Sequence, residues 1–179
     1  MKTFIASGIA AAALVSAASA DVTFSFTNQT WTGFNFTEAY AAGSLTGTLT
    51  GVSVNATLNA STNYTYADDL CVYINPSPLS TGGLLQVGGF SNLNATQRYS
   101  WANGGSSAPG TTVTGTKTLT TGIDMAANPL QSIWIGNGYG AAGTSGTWTG
   151  TITLIGVVPA PGAVALLGLA GFCSRRRRA

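Results

Sequence analysis

The sequence predicts an all-β domain, an antiparallel β-sandwich or jelly roll, with an N-terminal signal peptide before it and a hydrophobic C-terminal helix after it. Three observations lead there. Between Asp21 and Val158, apolar residues fall at alternate positions in about ten short runs. Clusters such as "NPSPLSTGG", "NGGSSAPG" and "GNGYGAAGTSG" separate those runs with turn-forming residues. Outside the two ends, no segment sustains a 3.6-residue periodicity. A β-solenoid is the competing architecture, and no fixed-period repeat supports it.

The first segment carries a positive start, Met1-Lys2, and an apolar run from Phe4 to Val15. Ala18 and Ala20 then fit the small-x-small rule for signal peptidase. Cleavage after Ala20 leaves Asp21 as the mature N-terminus. Residues 1–20 therefore read as a signal peptide, 21–157 as the sandwich domain and 158–179 as a separate tail.

Within the domain the strands follow in order. "VTFSFT" sets Val22, Phe24 and Phe26 on one face, and "GFNFTE" repeats the pattern with Phe34 and Phe36. "SLTGTLTGVSVNATLN" alternates through Leu45, Val52, Val54 and Leu58 with Thr between. "LCVYIN" separates Leu70, Val72 and Ile74 from Cys71 and Tyr73. "LLQVGG", "TQRYSW", "TTVTGTKTLT", "QSIWIG" and "GTWTGTITLIGVV" complete the set. Thr on one side of several strands is the mark of sheets with one face in water.

Charge narrows the function classes. The whole chain has seven Lys and Arg against five Asp and Glu. Between the two ends only Arg98 and Lys117 face Asp21, Glu38, Asp68, Asp69 and Asp124, a side-chain balance of −3. The basic character belongs to the ends, so a nucleic-acid partner is not expected. The chain has no histidine, which excludes Ser-His-Asp and Cys-His nucleophile systems and histidine metal sites. No Gly-rich loop leads into Lys-Ser/Thr, so a Walker-type phosphate site is excluded too. The domain is expected to be non-enzymatic and to need no cofactor.

Two binding chemistries stay open. Asp68-Asp69 is the one adjacent acidic pair, a candidate for Ca²⁺ with backbone carbonyls and Glu38 or Asp124 completing the shell. The plainer reading is a solubilised strand start. Trp31, Trp101, Trp134 and Trp148, with Tyr64, Tyr66, Tyr99 and Tyr139, supply rings for sugar stacking. Trp134 and Trp148 are the candidate carbohydrate platform, against the plainer reading of core tryptophans. Six Asn-x-Ser/Thr triplets begin at Asn28, Asn35, Asn55, Asn59, Asn63 and Asn94. Cys71 is expected to be unpaired, because Cys173 lies in the apolar tail.

The tail closes the chain with Pro159-Ala160-Pro161, an uncharged run from Gly162 to Cys173 and the cluster Arg175, Arg176, Arg177 and Arg178. Positive charge beside an apolar run holds that side on the cytoplasmic face. These three parts in this order resemble the PEP-CTERM sorting signal, with Ala160 standing where the usual motif has Glu. The resemblance covers about 20 residues and implies a bacterial exported protein, processed by the membrane protease exosortase. It also implies transient inner-membrane anchoring through a sorting helix, then a cell-surface or extracellular destination with exopolysaccharide as a partner. The competing reading is a permanent single-span anchor over Leu154 to Cys173, interrupted by Pro159 and Pro161. In the middle, "TYADDLCVYI" and "SGTWTGTITLIG" resemble the jelly-roll P domain of proprotein convertases. The expected function is a structural component of the cell surface or extracellular matrix, the alternative a lectin-like carbohydrate-binding adhesin.

Overall fold

The computed structural model describes residues 21–77 and 82–161. The expected signal peptide, its cleavage motif up to Ala20, and the apolar run and arginines of the tail lie outside these residues.

The described residues form nine strands: β1 (Val22–Thr32), β2 (Phe36–Tyr40), β3 (Leu45–Thr62), β4 (Leu70–Asn75), β5 (Leu85–Val87), β6 (Gln97–Tyr99), β7 (Thr112–Asp124), β8 (Ser132–Asn137) and β9 (Ser145–Pro159). A short 3₁₀ turn, Ala67–Asp69, opens β4. Two sheets result, a four-stranded one in the order β1-β9-β3-β7 and a five-stranded one in the order β2-β8-β4-β5-β6. The predicted all-β, sandwich-like arrangement is what forms.

The main core lies between the sheets. The four-stranded sheet contributes Val22, Phe26, Trp31, Leu49, Val54, Leu58, Trp148, Ile152 and Leu154. The other contributes Leu70, Val72, Ile74, Leu85, Val87, Ile133 and Ile135. Side-chain period 2 explains most of this, with one instructive break. Phe26 and Trp31 are five positions apart, yet both face the core. A register shift between Phe26 and Gln29 makes that possible, with Asn28 in the left-handed region at φ 49°. Asn is one of the few residues that tolerates that conformation. Its side chain then joins Asn59 (2.7 Å) and Thr149 (3.5 Å) on the open face.

One pairing departs from the antiparallel expectation: β5 and β6 run parallel. No tight hairpin joins them. The intervening 88–96 segment instead crosses the outer face of the five-stranded sheet. Gln86 clamps it, donating to the Gly88 and Ser91 carbonyls (3.1 and 2.7 Å) and accepting from the Leu93 N–H (2.9 Å). Its Leu93 packs with Phe36, Cys71 and Tyr73 of the sheet in a second buried cluster, flanked by Phe34, Trp134 and the segment's own Ala95.

The two ends of the described domain leave together. Asp21 accepts a hydrogen bond from the Gly156 N–H (3.1 Å), and the Ala160 N–H donates to the Ser44 carbonyl (2.8 Å). β3 and β9 lie antiparallel, pairing Leu45 with Pro159 at this end and Thr62 with Ser145 at the other. At about 3.3 Å per residue, the 15 residues of β9 set the two ends of this sheet roughly 45 Å apart.

Candidate functional site

The end opposite the chain termini holds a cleft. Four connections meet there: the Thr62–Asp69 segment, the 88–91 part of the crossing segment, the 138–144 loop and the segment after β6. The larger part encloses about 290 Å³ and is lined by Tyr66, Asp68, Asp69, Phe90, Arg98 and Trp101, among others. A smaller part of about 150 Å³ continues it between Tyr64, Tyr66, Asp69, Phe90 and Tyr139.

Local sequence explains how each side chain gets there. Asn63 and Tyr64 both have positive φ, 51° and 61°, and the Thr65 N–H reaches the Thr62 carbonyl (3.4 Å). That is a type I′ turn, whose second central position normally takes Gly. Tyrosine there projects outward and is 78 % exposed. Phe90 is 74 % exposed, and its ring meets Tyr139 edge-on with centroids 5.5 Å apart. Gly88, at φ 77°, forms part of the lining, and a Cβ on it would collide with the Leu70 carbonyl and the Trp101 indole nitrogen. Trp101 is fixed behind it by donating to that same carbonyl (2.7 Å).

The polar groups are as closely held. Asp69 is 5 % exposed and accepts from the Tyr66 N–H (2.8 Å), closing the turn that carries it. Burial pushes its carboxyl up to about 6, against the lowering effect of backbone hydrogen bonds from Tyr66 and Phe90. The Asp68 carboxyl is also raised, by burial. Arg98 donates to the Phe90 carbonyl (3.0 Å), tying a cation to the loop that presents the ring.

Asp68 and Asp69 therefore lie at the site, but Glu38 and Asp124 do not join them. Glu38 pairs opposite Trp134 on β2, and Asp124 caps the Ala126 and Ala127 N–H groups (2.9 and 3.1 Å). Among the described residues, no three or more His, Cys, Asp or Glu side chains gather as a metal group. The carbohydrate platform needs correction. Trp148 is fully buried because it shares the core face of β9 with Ile152 and Leu154. It offers no ring face to a ligand. Trp134 lies on the outer face, half-buried against the second cluster, and donates to the Asn75 carbonyl (2.8 Å). Trp31 and Trp101 are buried, and the Tyr99 hydroxyl is engaged with Gln97 and Thr120.

Tyr64, Tyr66 and Tyr139 were legible as candidate rings, whereas Phe90 and Arg98 were not. The one signal for Phe90 was its place after two glycines in "VGGF", an aromatic set in a turn. No family model, curated protein or solved structure matches the chain. The cleft is therefore read from its own chemistry: exposed rings, two carboxylates and one guanidinium on a backbone floor.

Proposed function

We propose that the chain is an exported bacterial surface or matrix protein, a jelly-roll-type sandwich without catalytic activity. Its signal peptide delivers it across the inner membrane. Its tail holds it there until an exosortase-type protease processes it for the cell surface. The observation that carries this reading is the tail itself: Pro159-Ala160-Pro161, which starts at the last residue of β9, then an uncharged run and four arginines.

The way the domain hangs supports it. Asp21 and Pro159–Pro161 leave from one end of the same sheet, and the cleft occupies the other. Cleavage before Asp21 then falls just outside β1, and a tail held beyond Pro161 leaves the cleft pointing away from the tether. A carbohydrate-binding adhesin is the second reading, favoured by the exposed rings of that cleft.

Fractionation of a tagged precursor, in a host without a sorting protease, tests the proposal. Each Arg drawn into hydrocarbon costs about 2.5–3.5 kcal/mol, so four of them make a strong stop. Replacing Arg175 to Arg178 by four Lys should keep the chain in the membrane, since positive charge sets orientation. Four Gln should release it, because about 12 apolar residues hold a bilayer poorly. Equal retention of the Gln variant and the native chain would overturn the tail reading. Intact mass of exported material should begin at Asp21.

A further inference from the structure

We propose that the cleft binds a chain of neutral hexoses, with Tyr64, Phe90 and Tyr139 covering the apolar faces of successive sugar rings. The Asp68 and Asp69 carboxylates accept hydrogen bonds from the sugar hydroxyls. This deepens the reading of a surface-held matrix component by naming what the domain holds.

Four observations converge. The first is exposure against the usual gradient: all four tryptophans are buried or half-buried, while Tyr64 and Phe90 stand 78 % and 74 % exposed in one cluster. Isolated exposed rings are common, but here four aromatic residues line the smaller part of the cleft alone. The second is backbone cost. Tyr64 occupies a left-handed position where Gly is ordinarily used, so its ring is displayed at some conformational expense.

The third is the pairing of ring faces with fixed acceptors. A pyranose presents C–H groups on its faces and hydroxyls around its rim. A ligand of that kind needs aromatic surface and carboxylates side by side, and Asp69 lines both parts of the cleft. The 290 Å³ of the larger part is at the lower end for a small-molecule site. The cleft suits one or two sugar rings with the rest of a chain running outside.

The fourth is charge, which selects among sugars. Two cations against five carboxylates give the domain a balance of −3, and two of those carboxylates lie in the cleft. Polyuronates and sulfated chains meet repulsion from that balance, with only Arg98 to offset it at the site. Neutral or N-acetylated hexoses carry no such penalty.

The test is calorimetric titration of the full chain, held in a detergent without a sugar headgroup. The probes are cellohexaose, maltohexaose and chitohexaose, with hexaguluronate as the charged comparison. Saturable binding of at least one neutral hexasaccharide is expected, and none of hexaguluronate. Phe90→Ala and Tyr64→Ala should each weaken binding about 5- to 10-fold. Their melting temperatures should stay unchanged, because both rings are exposed. Asp68→Asn should weaken binding by a smaller factor while keeping the shape of the site. Failure of all three neutral probes, a preference for hexaguluronate, or binding indifferent to Phe90 and Tyr64 would each overturn the proposal. So would a concentration-dependent dimer abolished by Phe90→Ala, which would assign the rings to a second copy of the chain. Titration does not depend on export, so its failure is distinguishable from failure of the tail reading.

Discussion

The two sheets use the same strand pattern to opposite ends. In the four-stranded sheet the second face is open. Thr23 meets Thr153 (2.9 Å), Thr30 meets Thr147 (2.7 Å) and Ser53 meets Thr116 (3.1 Å) across neighbouring strands. In the five-stranded sheet the second face is covered, and all residues of β4 and β5 are buried. Alternation therefore reports that the two faces of a strand differ, without saying that one of them is wet. What decides is whether a connection crosses the sheet. The 88–96 segment does so on one sheet, and among the described residues no equivalent crosses the Thr-rich face of the other.

The largest test of that contrast is Tyr73→Ala. The ring is fully buried on the covered face, where its hydroxyl accepts from the Gly83 N–H (3.0 Å) and donates to the Leu93 carbonyl (3.4 Å). Its loss should cost about 4 kcal/mol in urea denaturation. A loss below about 1 kcal/mol would mean the crossing segment does not seal that face. Gly136→Ala comes next. A Cβ there would strike the Asn35 carbonyl and the Phe36 backbone, which cannot move aside cheaply, so a loss of about 3 kcal/mol is expected.

A pH effect should follow at the cleft end of the covered sheet. Burial raises the Asp69 carboxyl to about 6, above ~3.9 for an exposed Asp, despite hydrogen bonds from Tyr66 and Phe90. The folded chain then keeps a proton that the unfolded chain has already lost. Stability should fall as pH rises from about 4 to about 6, by about 2 kcal/mol, and level off above that. Urea midpoints across this range, native against Asp69→Asn, check the sign. A native midpoint that rises over the same interval would contradict the buried carboxyl.

On the open sheet the expected effects are small. Thr153→Val removes one exposed hydroxyl pair and should change stability by less than about 0.5 kcal/mol. A larger loss would show that the threonine rows hold the sheet together, and the contrast between the faces would weaken. The smallest effect concerns Cys71, which is free, fully buried on the covered face and has its thiol pushed up by burial. A reductant should leave the melting temperature where it is, and thiol reagents should label Cys71 only on unfolding.

The sequence by itself determined where the strands lie and what kind of fold they make. Alternating Val, Ile, Leu and Phe with Gly-rich punctuation sufficed, because side-chain direction in a strand is a local property of the backbone. Even the bulge that admits Trp31 rests on a locally readable residue, Asn28. Tertiary structure alone decided which faces are covered and which rings are exposed. Trp148 and Trp134 looked like candidate platforms in their strands, yet a core and a crossing segment bury one fully and the other in part. The cleft joins Tyr64, Asp69, Phe90, Arg98 and Tyr139 from segments far apart in the chain. Short-range pattern carries no record of such meetings, because they depend on how whole sheets stack and where their connections cross.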